Sequence, residues 1–122
     1  MRTPAEITAA AQLACLLEAS APKPGNVSPG VSFHDTRYED FLASAAAIAA
    51  AFLDIDRQSI GGTIRRAIES TRAWTDANTN LGIVLLLAPL AHAALEPSPK
   101  SLRDRVRGVL DRTTIADAAD VY

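Results

Sequence analysis

The chain has 122 residues, which is the usual size of one domain with a core of its own. Its formal net charge of −2 and isoelectric point near 5.6 argue against a nucleic-acid surface or a basic membrane patch, since both need clustered positive charge. A single cysteine, Cys15, excludes an internal disulfide and is predicted to be a small buried side chain. There is no signal-peptide pattern, and the longest apolar run, about 15 residues, is too short to cross a bilayer, so we expect a soluble cytoplasmic protein.

The first predicted helix begins at the capping box Thr3-Pro4-Ala5-Glu6 and extends to about residue 19. Its predicted inward stripe is Ile7, Ala10, Ala11, Ala14 and Leu17. Glu18 follows on or beside this stripe, where a carboxylate needs a partner. Glu18 is therefore either a functional group or a side chain that turns to solvent.

A long loop over residues 20–37, with three prolines and two glycines, follows the first helix. A loop of this length in a compact domain is usually functional or disordered, and we favour a functional loop. Lys23, Gly25 and Asn26 combine a cation, a rigid Pro-Gly turn and a permissive backbone, which favours binding of a phosphate or carboxylate. Asp35 precedes the next helix, where it can face a ligand or a magnesium ion.

The second helix is predicted over residues 37–53, after a capping box at Thr36-Arg37-Tyr38-Glu39. Its inward stripe is Phe41, Ser44, Ala45, Ile48 and Phe52. Ser44 thus points inward, where it either bonds the carbonyl of the preceding turn or contacts a ligand.

The third helix is predicted over residues 59–74 and opens with two glycines, Gly61 and Gly62, that could leave its N-terminus open to an anion. Its inward stripe is Gly61, Ile64, Ala67, Ile68 and Thr71. Trp74, at its end, is predicted to be a core anchor or to close the end of the helix.

A polar cluster of Asn78, Thr79 and Asn80 leads into a strongly apolar helix that is predicted to be surrounded by other helices. Gly82 in its first turn lets another atom approach the backbone, and the unpaired N–H groups favour an anion. The alternative is an ordinary N-cap on a core helix. His92 on this helix is predicted to be a hydrogen-bonded core or interface histidine.

Two shorter helices complete the chain, one over residues 101–111 with Leu102, Val106 and Leu110 facing in, and one from Thr114 onward. No strand alternation is present, so the predicted class is all-α. We expect a single domain over residues 1–122, a multi-helix bundle of about six helices around the central helix at residues 80–95.

These motifs together resemble the triphosphoribosyl-dephospho-CoA synthase family over about residues 10–122. In chain order they are Glu18, Pro22-Lys23-Pro24-Gly25, Asp35, Phe41 with Ser44, Asn78-Thr79 with Gly82, and Asp117 with Tyr122. The chain departs from the family pattern at Asn80 and Leu81, which replace a histidine and a basic residue, and at Phe33, which replaces a histidine.

The resemblance implies an all-helical transferase that moves a triphosphoribosyl group from ATP to the ribose 2′-hydroxyl of 3′-dephospho-CoA and releases adenine. The product would be the prosthetic-group precursor for the acyl carrier protein of citrate lyase or malonate decarboxylase. Because an N-glycosidic bond breaks, the site needs carboxylates for the positive sugar and donors for the triphosphate. The resemblance implies that Glu18 and Asp35 are catalytic or bind magnesium. It implies substrate or phosphate binding by Lys23, Gly25, Asn26, Ser44, Asn78, Thr79, Asn80 and Gly82.

The expected cofactor is Mg²⁺ with ATP, and the expected partners are ATP and 3′-dephospho-CoA or a related nucleotide, without nucleic acid or membrane. A homodimer is also open. Family members are more than twice as long, so we expect the N-terminal part of a longer family domain. Two alternatives remain: a divergent relative that uses another nucleotide or phosphoribosyl substrate in cofactor biosynthesis, and a truncated non-catalytic domain that binds a nucleotide or a partner helix.

Overall fold

The computed structural model describes residues 2–122 and is built from helices. The elements are α1 (Pro4–Ser20), α2 (Tyr38–Ala47), α3 (Ala49–Leu53), a 3-10 turn (Ile55–Arg57), α4 (Ile60–Arg72), α5 (Leu81–Leu95), α6 (Leu102–Asp111) and α7 (Ile115–Val121). No strand occurs within residues 2–122, so the predicted all-α class is confirmed. The predicted second helix is interrupted at Ile48, where α2 gives way to α3.

The core lies where α1, α2, α3, α4 and α5 meet, and small residues make up much of it. Its largest fully buried apolar side chains are Phe52, Ile48, Ile55 and Val84. Alanines fill the positions between them, including Ala51, Ala67 and Ala88 with no exposed surface. Small side chains let helix backbones approach closely, so a core with few aromatic residues still packs densely.

The central helix α5 is buried on one side. Val84 and Ala88 face the core, whereas Leu86 is 71% exposed and Leu85 and Leu90 are also exposed. The prediction that other helices surround α5 is therefore wrong, because one of its faces is exposed. Leu13 and Leu17 of the neighbouring α1 are exposed as well. Among residues 2–122, no helix combines the length and the apolar character that crossing a membrane requires.

The buried side of α1 differs from the predicted stripe. It consists of Ile7, Thr8, Ala11, Cys15 and Ala19, and Leu17 is exposed. The capping box at Thr3 and Glu6 is confirmed. Thr8 can face the core because its hydroxyl donates to the Pro4 carbonyl at 2.7 Å, which satisfies its only proton within the helix.

The capping box predicted for the second helix is wrong by one residue. Asp40, rather than Glu39, accepts a hydrogen bond from the backbone N–H of Arg37 at 2.8 Å. The hydroxyl of Thr36 donates instead to Asp35 at 3.2 Å. The inward direction of Ser44, Ile48 and Phe52 is confirmed.

The inward face predicted for α6 is wrong at Leu102 and Leu110, which are exposed, whereas Val106 is half-buried and Val109 is buried. Arg105 explains this orientation. Its Nη1 donates to the carbonyls of Ala93 at 3.0 Å and Glu96 at 3.2 Å, at the C-terminal end of α5. These carbonyls lie where a helix lacks internal donors and where its dipole favours a cation, so Arg105 turns this side of α6 toward α5.

Trp74, which follows α4, is 73% exposed, so its predicted role in the core is wrong. The inward stripe predicted for α4 is confirmed at Gly61, Ile64, Ala67 and Thr71. Its N-cap is Ser59, whose side chain accepts from the backbone N–H of Gly62.

The N-terminus of α4 is occupied by a carboxylate of the chain itself. Asp117 on α7 accepts the buried backbone N–H of Gly61 at 2.9 Å and the backbone N–H of Thr114 at 2.9 Å. These hydrogen bonds, led by that of Gly61, hold the pKa of Asp117 below its usual value. The two glycines therefore do not leave this helix end open to an external anion, which was the possibility that the sequence suggested. Gly61 serves close packing, since a Cβ there would lie 2.6 Å from the Asp117 Cα.

We expect Gly61→Ala to destabilise the fold by about 1–3 kcal/mol, because the added methyl would overlap the backbone of α7. Gly82→Ala is the matched control, since a Cβ at Gly82 meets no atom within 4 Å. Chemical denaturation measures both. Equal stabilities of Gly61→Ala and wild type would contradict the close contact between α4 and α7.

His92 is a hydrogen-bonded interior histidine, as predicted. Its Nε2 lies 2.9 Å from the hydroxyl of Thr63, which has no exposed surface. Burial lowers the pKa of His92, and the nearby charge of Asp117 partly offsets this effect. Charging this histidine in the folded protein is therefore unfavourable.

Stability is expected to fall as the pH decreases below about 6.5, the usual histidine pKa, toward pH 5. The folded-state pKa of His92 is the lower one, so in this range the unfolded chain binds more protons and acid favours unfolding. His92→Gln keeps a hydrogen-bonding side chain without a titrating group and should flatten the profile. His34→Gln, on an exposed loop residue, is the control. An unchanged slope in His92→Gln would show that another group causes the dependence.

Candidate functional site

A cavity of about 440 Å³ lies between the C-terminal end of α1, the loop after it, α2 and the N-terminal end of α5. All of the predicted site residues except Lys23 and Asp35 line it. These lining residues are Glu18, Gly25, Asn26, Ser44, Asn78, Thr79, Asn80 and Gly82. Residues more than sixty positions apart in the sequence thus share one cavity.

The N-terminus of α5 supplies backbone donors to this cavity. Asn80 is the N-cap residue, but its side chain makes no capping hydrogen bond. Within residues 2–122, the backbone N–H groups of Leu81, Gly82 and Ile83 have no acceptor, and all three residues line the cavity. A helix N-terminus with free N–H groups favours a negatively charged ligand.

The side chain of Asn80 is buried and points away from the capping position. Its Nδ2 donates to the hydroxyl of Thr71 on α4 at 2.8 Å. The Thr71 hydroxyl in turn donates to the Ala67 carbonyl at 2.8 Å. Asn80 therefore joins the start of α5 to α4, which explains why it does not cap its own helix.

Thr79 is held in a similar way by α2. Its hydroxyl is hydrogen-bonded to that of Ser44, and the Ser44 hydroxyl also donates to the Asp40 carbonyl at 2.7 Å. The Asp40 carboxylate accepts from the hydroxyl of Thr75 at 3.1 Å, which ties the segment before α5 to α2. Ser44 therefore bonds within its own helix, which confirms one of its two alternatives, and it also lines the cavity. Contact of Ser44 with a ligand stays a prediction.

Two Pro-Gly turns shape the long loop. Gly25 and Gly30 both have φ of +79°, and each is followed by a residue whose N–H donates to a carbonyl three positions back. Proline followed by a glycine with positive φ is the pattern of a type II turn. The first turn brings Gly25 and Asn26 to the cavity, and Val27 next to it is buried.

Glu18 is the one charged side chain that lines the cavity within residues 2–122. Its carboxylate pairs with Lys23 at 2.6 Å, and Lys23 Nζ also donates to the Glu18 carbonyl at 3.0 Å. The carboxylate is 59% exposed, so the pair contributes little to stability. The pair places the Lys23 ammonium group beside the Glu18 carboxylate at the cavity wall.

Asp35 lies on the exposed loop and does not line the cavity. Its carboxylate accepts from the hydroxyl of Thr36. No group of three or more His, Cys, Asp or Glu side chains within residues 2–122 is arranged to hold a metal ion. A catalytic or magnesium-binding role of Asp35 stays a prediction.

Several lining residues were not predicted as site residues, among them Cys15, Phe33 and Thr36. Burial raises the pKa of the Cys15 thiol to about 11, so it stays protonated at neutral pH and forms part of the wall. Phe33 and Phe41 give the cavity an apolar side. An aromatic residue within a polar loop was the sequence signal that could have identified Phe33.

Gly82→Ala is expected to raise the stability of the protein by about 0.5 kcal/mol, because alanine is the better helix former and the added methyl meets no atom. The same methyl should obstruct the free N–H groups and weaken binding of inorganic triphosphate severalfold. Thermal unfolding and calorimetric titration measure the two effects. Unchanged triphosphate binding would contradict a ligand-binding role of this helix end.

A family model for CitG, ATP:dephospho-CoA triphosphoribosyl transferase, matches residues 4–122. Comparison with curated proteins and with solved structures gives no match. The matched range contains every residue of the cavity. The chain is therefore a member of the CitG family of transferases, which transfer a triphosphoribosyl group from ATP to dephospho-CoA.

Proposed function

We propose that the cavity is the nucleotide site for this triphosphoribosyl transfer. The observation that carries the proposal is the meeting of the Glu18 carboxylate with the free N–H groups at the start of α5 in one cavity. The reaction requires both kinds of group: a negative charge near the reacting sugar and donors for the phosphates.

In this proposal the triphosphate lies against the backbone N–H groups of residues 81–83 and beside the turn at Gly25 and Asn26. No lysine or arginine within residues 2–122 lines the cavity, so these groups leave most of the phosphate charge uncompensated. Mg²⁺ fits such a site, because proteins commonly hold it through one or two carboxylates together with substrate phosphates. Glu18 is the carboxylate that would hold it, and the ion would supply positive charge to the phosphates.

The chemistry breaks the bond between ribose C1′ and adenine N9 and forms a bond from C1′ to the 2′-oxygen of dephospho-CoA. Adenine leaves with the electron pair and takes up a proton, while the attacking hydroxyl loses one. Positive charge develops on the sugar. Glu18 would stabilise this charge or accept the hydroxyl proton, with Lys23 holding its side chain in place.

The apolar side of the cavity, formed by Phe33 and Phe41, would contact the adenine ring.

We place the reaction in the cytoplasm, where ATP and dephospho-CoA would be available. Self-association through the exposed leucines of α1 and α5 stays a prediction.

Glu18→Gln is expected to lower the rate of adenine release by about 100-fold or more, the usual loss for an acid or base group. Stability should change by less than about 1 kcal/mol, because an exposed ion pair contributes little. Glu69→Gln is the matched control. The Glu69 side chain is also 59% exposed and pairs with Arg65 at 2.8 Å on α4, but it does not line the cavity.

Chromatography of free adenine measures the reaction, with ATP and Mg²⁺ in the presence and absence of 3′-dephospho-CoA. Adenine that appears only with the acceptor, is lost in Glu18→Gln and is retained in Glu69→Gln supports the proposal. A folded, fully active Glu18→Gln would remove Glu18 from the mechanism. Absence of adenine from the wild-type chain would contradict transfer by this chain.

A further inference from the structure

We propose that Thr71 is a positioning residue that orients Asn80 so that its carbonyl oxygen, Oδ1, accepts a hydrogen bond from a ribose hydroxyl of ATP. The inference rests on the proposed function and adds a group that selects ribose. It also narrows the role expected for Asn80, substrate or phosphate binding, to recognition of the sugar.

The orientation of the Asn80 amide follows from proton counting. A threonine hydroxyl has one proton, and that of Thr71 goes to the Ala67 carbonyl at 2.8 Å. Toward Asn80, 2.8 Å away, Thr71 can therefore act only as an acceptor. The amide must present its NH₂ group to Thr71, which directs Oδ1 to the opposite side.

Asn80 lines the cavity, and its Oδ1 has no hydrogen-bond partner within residues 2–122. Within residues 2–122, Arg105 Nε is the one fully buried side-chain polar atom without a hydrogen-bond partner. Asn80 Oδ1 has no partner either, so it is not fully buried. It is an available acceptor on a side chain that is otherwise buried.

The hydroxyl oxygen of Thr79, like Asn80 Oδ1, is an available acceptor. The Ser44 hydroxyl donates its one proton to the Asp40 carbonyl at 2.7 Å. The Thr79 hydroxyl is therefore the donor in its hydrogen bond with Ser44. The remaining lone pairs of Thr79 are then acceptors as well. Two neighbouring side chains at the mouth of α5 thus offer acceptor oxygens, beside the donor N–H groups of its first turn.

Acceptor oxygens repel phosphate and attract hydroxyl groups. The cavity therefore contains two kinds of subsite: backbone donors that suit the triphosphate, and the acceptors of Thr79 and Asn80 that suit the sugar hydroxyls. A hydrogen bond of this kind contributes about 1 kcal/mol, or roughly a fivefold to tenfold change in affinity. Loss of a ribose hydroxyl should have an effect of that size.

The test is calorimetric titration of the 122-residue chain with the magnesium complexes of ATP, 2′-deoxy-ATP and 3′-deoxy-ATP. Wild type should bind at least one deoxy analogue about fivefold to tenfold more weakly than ATP. Thr71→Val keeps the shape but removes the acceptor for Nδ2, so this preference for ATP should fall toward one. Thr71→Ser restores the hydroxyl and should restore the preference.

Thr8→Val is the matched control, because Thr8 is also buried and donates to the carbonyl four residues back, but it holds no other side chain. It should lose stability without losing the preference. Should Thr71→Val fail to fold, Asn80→Ala, which removes Oδ1 itself, should abolish the preference in the same titration.

Two results would overturn the inference alone: wild type that binds ATP and both deoxy analogues equally, or Thr71→Val that keeps the wild-type preference. A wild-type chain that binds neither ATP nor its analogues would overturn the proposed function together with this inference. The two failures are therefore distinguishable in one set of titrations.

Discussion

The packing of α5 against the core is the constraint on which the site depends. Val84 and Ala88 are fully buried, so close packing against the core determines where the inner face of this helix lies. Both ends are then held by polar contacts: Asn80 donates to Thr71 at the N-terminal end, and Arg105 donates to the last carbonyls at the C-terminal end. The N–H groups that line the cavity therefore belong to a helix that is packed on its inner face and held at both ends.

Buried hydroxyl groups give the interior its polarity. Ser44, Thr63 and Thr71 each donate to the carbonyl four residues earlier in their own helix. Each hydroxyl is then left as an acceptor for a side chain on another element, respectively Thr79, His92 and Asn80. Because a hydroxyl has a single proton, this local bond decides which group donates across the helix interface. These hydroxyl groups thus specify the directions of hydrogen bonds between helices.

Much of the site was predictable because its residues are unusual for their sequence positions. Glu18 follows an apolar stripe, Ser44 lies within one, and Asn80 precedes an apolar helix. Their positions in the chain indicate that each needs a partner, and the cavity brings them together. Thr71 was predicted to face inward, but its partner was not predictable, because that contact depends on how α4 and α5 lie against each other. The partner of Lys23 likewise depends on how the loop folds back on α1.

The sequence by itself determined the all-α class, most helix boundaries and the motifs of the CitG family, because capping residues, prolines and apolar spacing act over a few positions. Only the tertiary structure decided which apolar faces are covered and what the helix ends contact. Leu86 and Trp74 are exposed although their side chains are apolar, and Asp117 rather than a ligand occupies the start of α4. The physical reason is that burial and pairing depend on neighbours distant in sequence, which local periodicity does not specify.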